Sequence, residues 1–276
     1  MTPGAGGRDA MRRWARRWGA DGRADGGAIG ATVNAGHGRT EHAMADLPRF
    51  RNRAQAGKQL AGALAAEVRG CDAIVLALPR GGVPVGFAVA MTLGLALDIL
   101  IVRKLGLPAQ PEFAIGAVGS GGVRVLQPGV PGLMGVTQDE VEAIAARELA
   151  EIGRRARLYR GERPEPDLAG RTVLLVDDGI ATGSTMLAAV EVARRRRAAR
   201  VLVAAPVAPP ATLASLRAHA DGVACLLAPP RFFAVGQWYE RFDQTSDEEV
   251  QDLLAMAWRS RATGQIETQP NREERT

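Results

Sequence analysis

The chain has 276 residues and an apolar fraction of 46%, enough to bury a substantial core. It has no uninterrupted apolar run of the ~18 residues needed to cross a bilayer. Its two cysteines, Cys71 and Cys225, each lie next to an expected strand and form no CxxC pair, and both read as buried free thiols in preference to a metal or redox site. The formal charge of +5 lies mostly outside the body. Residues 1–43 carry seven Lys/Arg against four Asp/Glu, residues 259–276 four against three, and the rest 24 against 23. A nearly neutral body argues against nucleic acid as a partner.

In chain order, residues 1–43 are Gly-, Ala- and Arg-rich without apolar periodicity, and a disordered extension is expected there. The paired arginines of "MRRWARRWGA" precede no apolar segment of export-signal length, so the expected location is the cytoplasm, without a membrane. "MADLPRFRNR", from Met44, reads like a natural beginning. One domain is expected over 44–260, followed by a disordered tail over 261–276.

Within that domain, helices are expected over Ala54–Arg69 and Val83–Leu93, and strands over Ala73–Leu78 and Leu97–Arg103. The Gly-punctuated stretch Phe113–Leu126 reads as a β-ribbon. "TQDE" from Thr137 forms a capping box opening a helix that ends near Tyr159. Then follow strand Thr172–Val176, helix Ser184–Arg197, strand Val201–Ala205, helix Ala211–Ala220 and strand Val223–Ala228. Strands apolar on both faces, separated by helices, define an α/β fold: a three-layer, mostly parallel sheet flanked by helices. Ligands of such sheets lie beyond the carboxyl ends of the strands. The run Arg194–Arg197 falls at a helix end, where the dipole favours cations, and reads as a solvated terminus.

The stretch "VLLVDDGIATGST" is the most informative. Its strand delivers Asp177 and Asp178 to the ligand edge. The loop Ala181, Thr182, Gly183, Ser184 and Thr185 then supplies backbone N–H groups, hydroxyls and a flexible glycine at a helix N-terminus. Those features make a compact phosphate site. Carboxylates cannot bind that phosphate, so they call for sugar hydroxyls or Mg²⁺, and a phosphate beside a diol suggests a phosphorylated ribose. A Walker A loop and a GxGxxG fingerprint are both absent.

This stretch resembles the PRPP-binding motif of the type I phosphoribosyltransferases. "LPRGG" (Leu78–Gly82) resembles their pyrophosphate loop, and "VRKLGLP" (Val102–Pro108) the approach to their mobile catalytic loop. With "RKLGLPAQPEFAIGAV" and "GQWYERFDQTSDEEV", it is similar to a little-characterised bacterial subgroup of that family. The resemblance covers about Phe50 to Trp258. It implies a ribbon that closes over the reacting centre and a small C-terminal hood. Mg²⁺ would be the cofactor, PRPP and an unidentified acceptor the substrates, and a homodimer the assembly.

By the same resemblance, Asp177 and Asp178 hold the ribose hydroxyls directly or through Mg²⁺, and 181–185 wrap the 5′-phosphate. Arg80 and Gly81 contact pyrophosphate, with charge added by Arg103 and Lys104. Glu112 is the candidate for handling the acceptor's proton. In the hood, Phe232, Phe233, Trp238 and Tyr239 either stack a flat base or pack the C-terminal helix. The hypoxanthine-guanine branch places an acid where this chain has Ala181, which disfavours a 6-oxopurine acceptor. Two functions follow: Mg-dependent phosphoribosyl transfer with release of pyrophosphate, or PRPP sensing without turnover. A PRPP-forming synthase is a weaker third.

Overall fold

The computed structural model describes residues 49–106, 114–126 and 135–267. The expected extension 1–43 and Glu112 lie outside these residues. Five strands form a wholly parallel sheet: β1 (Ala73–Ala77), β2 (Ala96–Ile99), β6 (Thr172–Val176), β7 (Arg200–Val207) and β8 (Gly222–Leu227), in the order β2-β1-β6-β7-β8. Every residue of β1 and β6 is buried, as continuous runs such as "AIVLA" and "TVLLV" require when helices cover both faces. Flanking them are α1 (Arg53–Val68), α2 (Gly82–Leu93), α3 (Gln138–Arg160), α4 (Ser184–Arg195), α5 (Pro210–Arg217) and α6 (Asp247–Glu267). The last runs past the boundary expected at residue 260.

The chain leaves β1 toward β2 on one side and later returns to the other side of β1 as β6. The carboxyl ends of β1 and β6 therefore diverge, and open α/β sheets form their ligand crevice at such a point.

One expected strand is two. Leu97–Arg103 divides into β2 and a separate strand, β3 (Val102–Gly106). Leu100 N–H still reaches the Ala77 carbonyl, but Ile101 already exchanges bonds with Ser120 of another layer. With β4 (Ala114–Gly119) and β5 (Val123–Leu126), β3 forms a three-stranded antiparallel sheet, the expected ribbon. This sheet packs on α3 and α4.

Local chemistry sets the helix starts. Asn52 accepts from the Gln55 N–H to cap α1, and Thr137 and Glu140 close the expected box on α3. Cys71, expected to be buried, is exposed in the turn before β1, whereas Cys225 is half-buried on β8. The arginine run is not merely solvated. Arg194 pairs with Asp221, and Arg196 turns inward to Glu165. Glu165 also meets Arg160, which is buried against Asp98 at 2.6 Å. Among the described residues, no helix is long and apolar enough to cross a membrane.

The α1–α2 contact separates two glycines of one helix. A Cβ at Gly57 would lie 2.6 Å from the Val85 carbonyl oxygen and 2.7 Å from the Ala88 Cβ, while one at Gly62 meets nothing. Alanine gains roughly 0.5–1 kcal/mol over glycine in a helix, and overpacking costs about 1–3 kcal/mol. Urea unfolding should therefore find Gly62→Ala more stable than wild type and Gly57→Ala less stable by about 1–2 kcal/mol. Equal effects at both positions would contradict this packing.

Candidate functional site

Two loops meet at the β1–β6 crevice. Leu78 N–H donates to the Val176 carbonyl, carrying the pairing of the strands one residue into the loop. The chain then passes through a cis Pro79–Arg80 peptide into α2. Gly81 and Gly82 lie directly under the acidic pair. A Cβ on Gly81 would stand 2.2 Å from Asp178 Oδ2, and one on Gly82 would stand 2.7 Å from the Val176 carbonyl oxygen. Only glycine permits this approach.

The two acids have different surroundings. Asp177 Oδ1 accepts from the Asp178 N–H at 2.9 Å, and no described cation forms an ion pair with it. Burial and the neighbouring Asp178 push the Asp177 carboxyl well above the usual aspartate range. Burial raises Asp178 as well, against the pull of Arg53. Arg53 Nε donates to Asp178 Oδ2 at 2.8 Å, and the Asp178 carbonyl accepts from the Tyr239 hydroxyl at 2.6 Å.

Beyond the acids, Gly183 adopts φ 78° as the residue preceding α4, with no side chain capping the helix. Its N-terminal N–H groups and dipole are therefore directed at the loop. The loop is braced from behind, where Thr212 donates to the Ala181 carbonyl at 2.6 Å and Thr182 and Ser184 hydroxyls lie 3.1 Å apart. Ala181, Thr182 and Thr185 are exposed, while Gly183 and Ser184 are buried.

The structure thus brings Gly81, Asp177, Asp178 and the 181–185 loop together. Arg80, the residue before Gly81, is half-exposed and lies 3.8 Å from Asp247. The structure changes the reading of Arg103 and of the hood aromatics. Arg103 is not a free charge, because its guanidinium bonds Glu148 of α3 at 2.5 Å. Trp238 and Tyr239 are not open stacking faces; they are 2% and 4% exposed and pack with Phe50, Ala56 and Val207. The buried Trp238 Nε1 has no hydrogen-bond partner among the described residues. Phe232 stacks on Trp238 with centroids 6.4 Å apart, so of the four hood aromatics only Phe233, 80% exposed, presents a wide face. Lys104 is exposed on β3. Arg53 escaped the sequence reading because it lies in no phosphate-loop pattern and meets Asp178 across 125 residues.

These features define an open parallel α/β domain whose ligand edge is a strand, an acidic pair and a loop opening a helix. The sequence model of the phosphoribosyl transferase domain matches residues 47–239, and the chain belongs to that family. Two Mycobacterium tuberculosis proteins that carry phosphoribosyl transferase names, Rv0571c (strain H37Rv) and MT0597 (strain CDC 1551), are each 48% identical over 210 residues. The match covers 76% of this chain and 47% of theirs, so the chain spans about half the length of these relatives. The crystal structure of TT1426 from Thermus thermophilus is 45% identical with a TM-score of 0.69, over 75% of this chain and 98% of that one.

The raised Asp177 has a consequence for stability. At about pH 3.5 the group is largely protonated in both states and costs little. As pH climbs from the unfolded value toward the raised folded one, the unfolded chain releases its proton first, and stability falls. Asp177→Asn removes that cost and can still accept from Asp178 N–H. The ligand-free variant should melt higher than wild type at about pH 7 and show no such advantage at about pH 3.5. A lower melting temperature at neutral pH would contradict the assignment.

Proposed function

We propose that this chain binds PRPP at the carboxyl edge of the sheet and transfers its 5-phosphoribosyl group to a nucleobase or another nucleophile, releasing pyrophosphate. The observation that carries this reading is the meeting of Gly81–Gly82 with Asp177–Asp178 beside the uncapped start of α4. N–H groups suited to a phosphate, carboxylates suited to a diol and a close backbone approach support this reading by lying at one crevice. In this reading the 5′-phosphate sits on residues 181–185, the ribose hydroxyls face Asp177 and Asp178, and pyrophosphate lies along Gly81 and Arg80. The Arg80–Asp247 pair is exposed and long, worth under about 1 kcal/mol, so Arg80 is easily released to a polyanion. Lys104 adds charge from β3.

Mg²⁺ fits the donor set. It keeps waters and substrate phosphates around one or two carboxylates. The described residues offer this adjacent pair and no cluster of three or more metal-binding side chains. Bound with PRPP, it would supply charge to stabilise the departing pyrophosphate.

In the reaction, the anomeric C–O bond breaks with its electron pair going to pyrophosphate. The nucleophile's lone pair forms the new bond from the opposite face, and its proton passes to a base, for which Glu112 is the candidate. Ala181 in place of an acid argues for an acceptor other than a 6-oxopurine.

Calorimetric titration with Mg·PRPP tests the reading, and acceptor-dependent release of pyrophosphate separates a transferase from a PRPP sensor. Arg80→Ala should weaken inorganic pyrophosphate about tenfold or more and ribose 5-phosphate less than about twofold, the scale of one charged hydrogen bond. Equal losses for both ligands would remove Arg80 from the pyrophosphate subsite.

A further inference from the structure

Arg53 opens α1, immediately after its Asn52 cap, and its guanidinium makes three contacts at once. Nε donates to Asp178 Oδ2 at 2.8 Å, Nη1 donates to the Asp243 carbonyl at 2.7 Å, and the group lies 3.9 Å over the Phe242 ring. A planar, forked cation meets these demands together, whereas an ammonium cannot. This is no ordinary surface pair, since the two side chains are only 12% and 13% exposed.

Confinement does not force the arrangement. Arg53 lines a cavity of about 330 Å³ with Asn52, Pro84, Arg241 and Asp243, so the side chain has room to leave. The three contacts hold it on the carboxylate. Asp178 is fixed from other directions as well. Gly81 lies against its carboxylate, and its carbonyl accepts from Tyr239, whose ring packs on Phe242 with centroids 5.0 Å apart. Arg53 engages Oδ2 of the Asp178 carboxylate and leaves Oδ1 outside the clamp.

We propose that Arg53 is a positioning residue of the ribose subsite. It clamps Asp178 through one carboxylate oxygen, aims the other at the crevice, and ties the acidic pair to the 239–243 segment so that site and hood act as one unit. The identity of the ligand rests on the PRPP reading above, while the clamp rests on the contacts. Neither the loop motifs nor the family resemblance assigns this arginine a role.

The test compares wild type with Arg53→Met, titrating ribose 5-phosphate and inorganic pyrophosphate by calorimetry where both proteins are folded. Removing the clamp should weaken ribose 5-phosphate about tenfold and leave pyrophosphate within about twofold, as expected for a charged contact that organises one subsite. A lowered melting temperature with both affinities unchanged would make the arginine merely structural and overturn the proposal. Equal losses for both ligands would overturn it, as would tighter ribose 5-phosphate binding, which would make Arg53 a competitor for Asp178. Should the Met variant not fold, Arg53→Lys, which loses the fork, carries the same comparison.

If wild type binds neither ligand, the PRPP reading fails. The clamp is then judged by melting temperatures of Arg53→Met, Asp178→Asn and the double variant. A double loss smaller than the sum of the single losses supports the clamp, and additive losses overturn it.

Discussion

The parallel pairing of β1 with β6 is the constraint on which the rest of the site depends. It places two strands whose onward loops go opposite ways side by side, and continues from Ala73 opposite Thr172 to Ala77 opposite Val176. One further bond, from Leu78 to the Val176 carbonyl, sets how closely the "PRGG" turn lies under Asp177 and Asp178. At that separation there is no volume for a side chain on Gly81 or Gly82. The site is the place where two strand ends come too close for anything but backbone.

Such proximity has an electrostatic cost. Adjacent carboxylates are withdrawn from water with one cation between them, and Arg53 is committed to Asp178. Ionising Asp177 thus carries a cost that the ligand-free protein does not offset, and a ligand offering hydroxyl donors or a divalent cation would relieve it. A second buried charge cluster behaves differently. Asp98, Arg160, Glu165 and Arg196 pair with one another within the fold, joining β2, the end of α3, the segment after it and the end of α4. Ion pairs of that kind join elements of the fold to one another, whereas the Asp177 carboxylate at the crevice calls for a partner from outside.

Much of this was legible in the sequence because it is local. Buried parallel strands show as unbroken apolar runs, the Thr137–Glu140 box as a four-residue pattern, and the strand–acid–loop–helix unit as thirteen consecutive residues. What escaped depends on contacts between distant segments. Nothing near Arg53 distinguishes it from Arg49 or Arg51 until the fold brings Asp178 to it. Leu97–Arg103 reads as one strand because its apolar pattern is continuous, yet bonding to Ser120 redirects it after Leu100. Trp238 and Tyr239 look like stacking surfaces in a sequence, but Phe50 packs against Tyr239 with ring centroids 5.5 Å apart. Arg103 looks like an available cation until Glu148 is found against it.

The central claim is spatial: a phosphoribosyl ligand occupies the crevice between the 79–82 and 177–185 loops. A crystal structure with PRPP and Mn²⁺ in place of Mg²⁺ tests it most directly, because anomalous scattering locates the metal independently of the ligand. The account predicts the 5′-phosphate on the N–H groups of residues 181–185, the ribose hydroxyls at the Asp177–Asp178 pair, and the metal on the pyrophosphate side. Ligand bound elsewhere on the chain, or a crevice left empty at saturating PRPP, would contradict it.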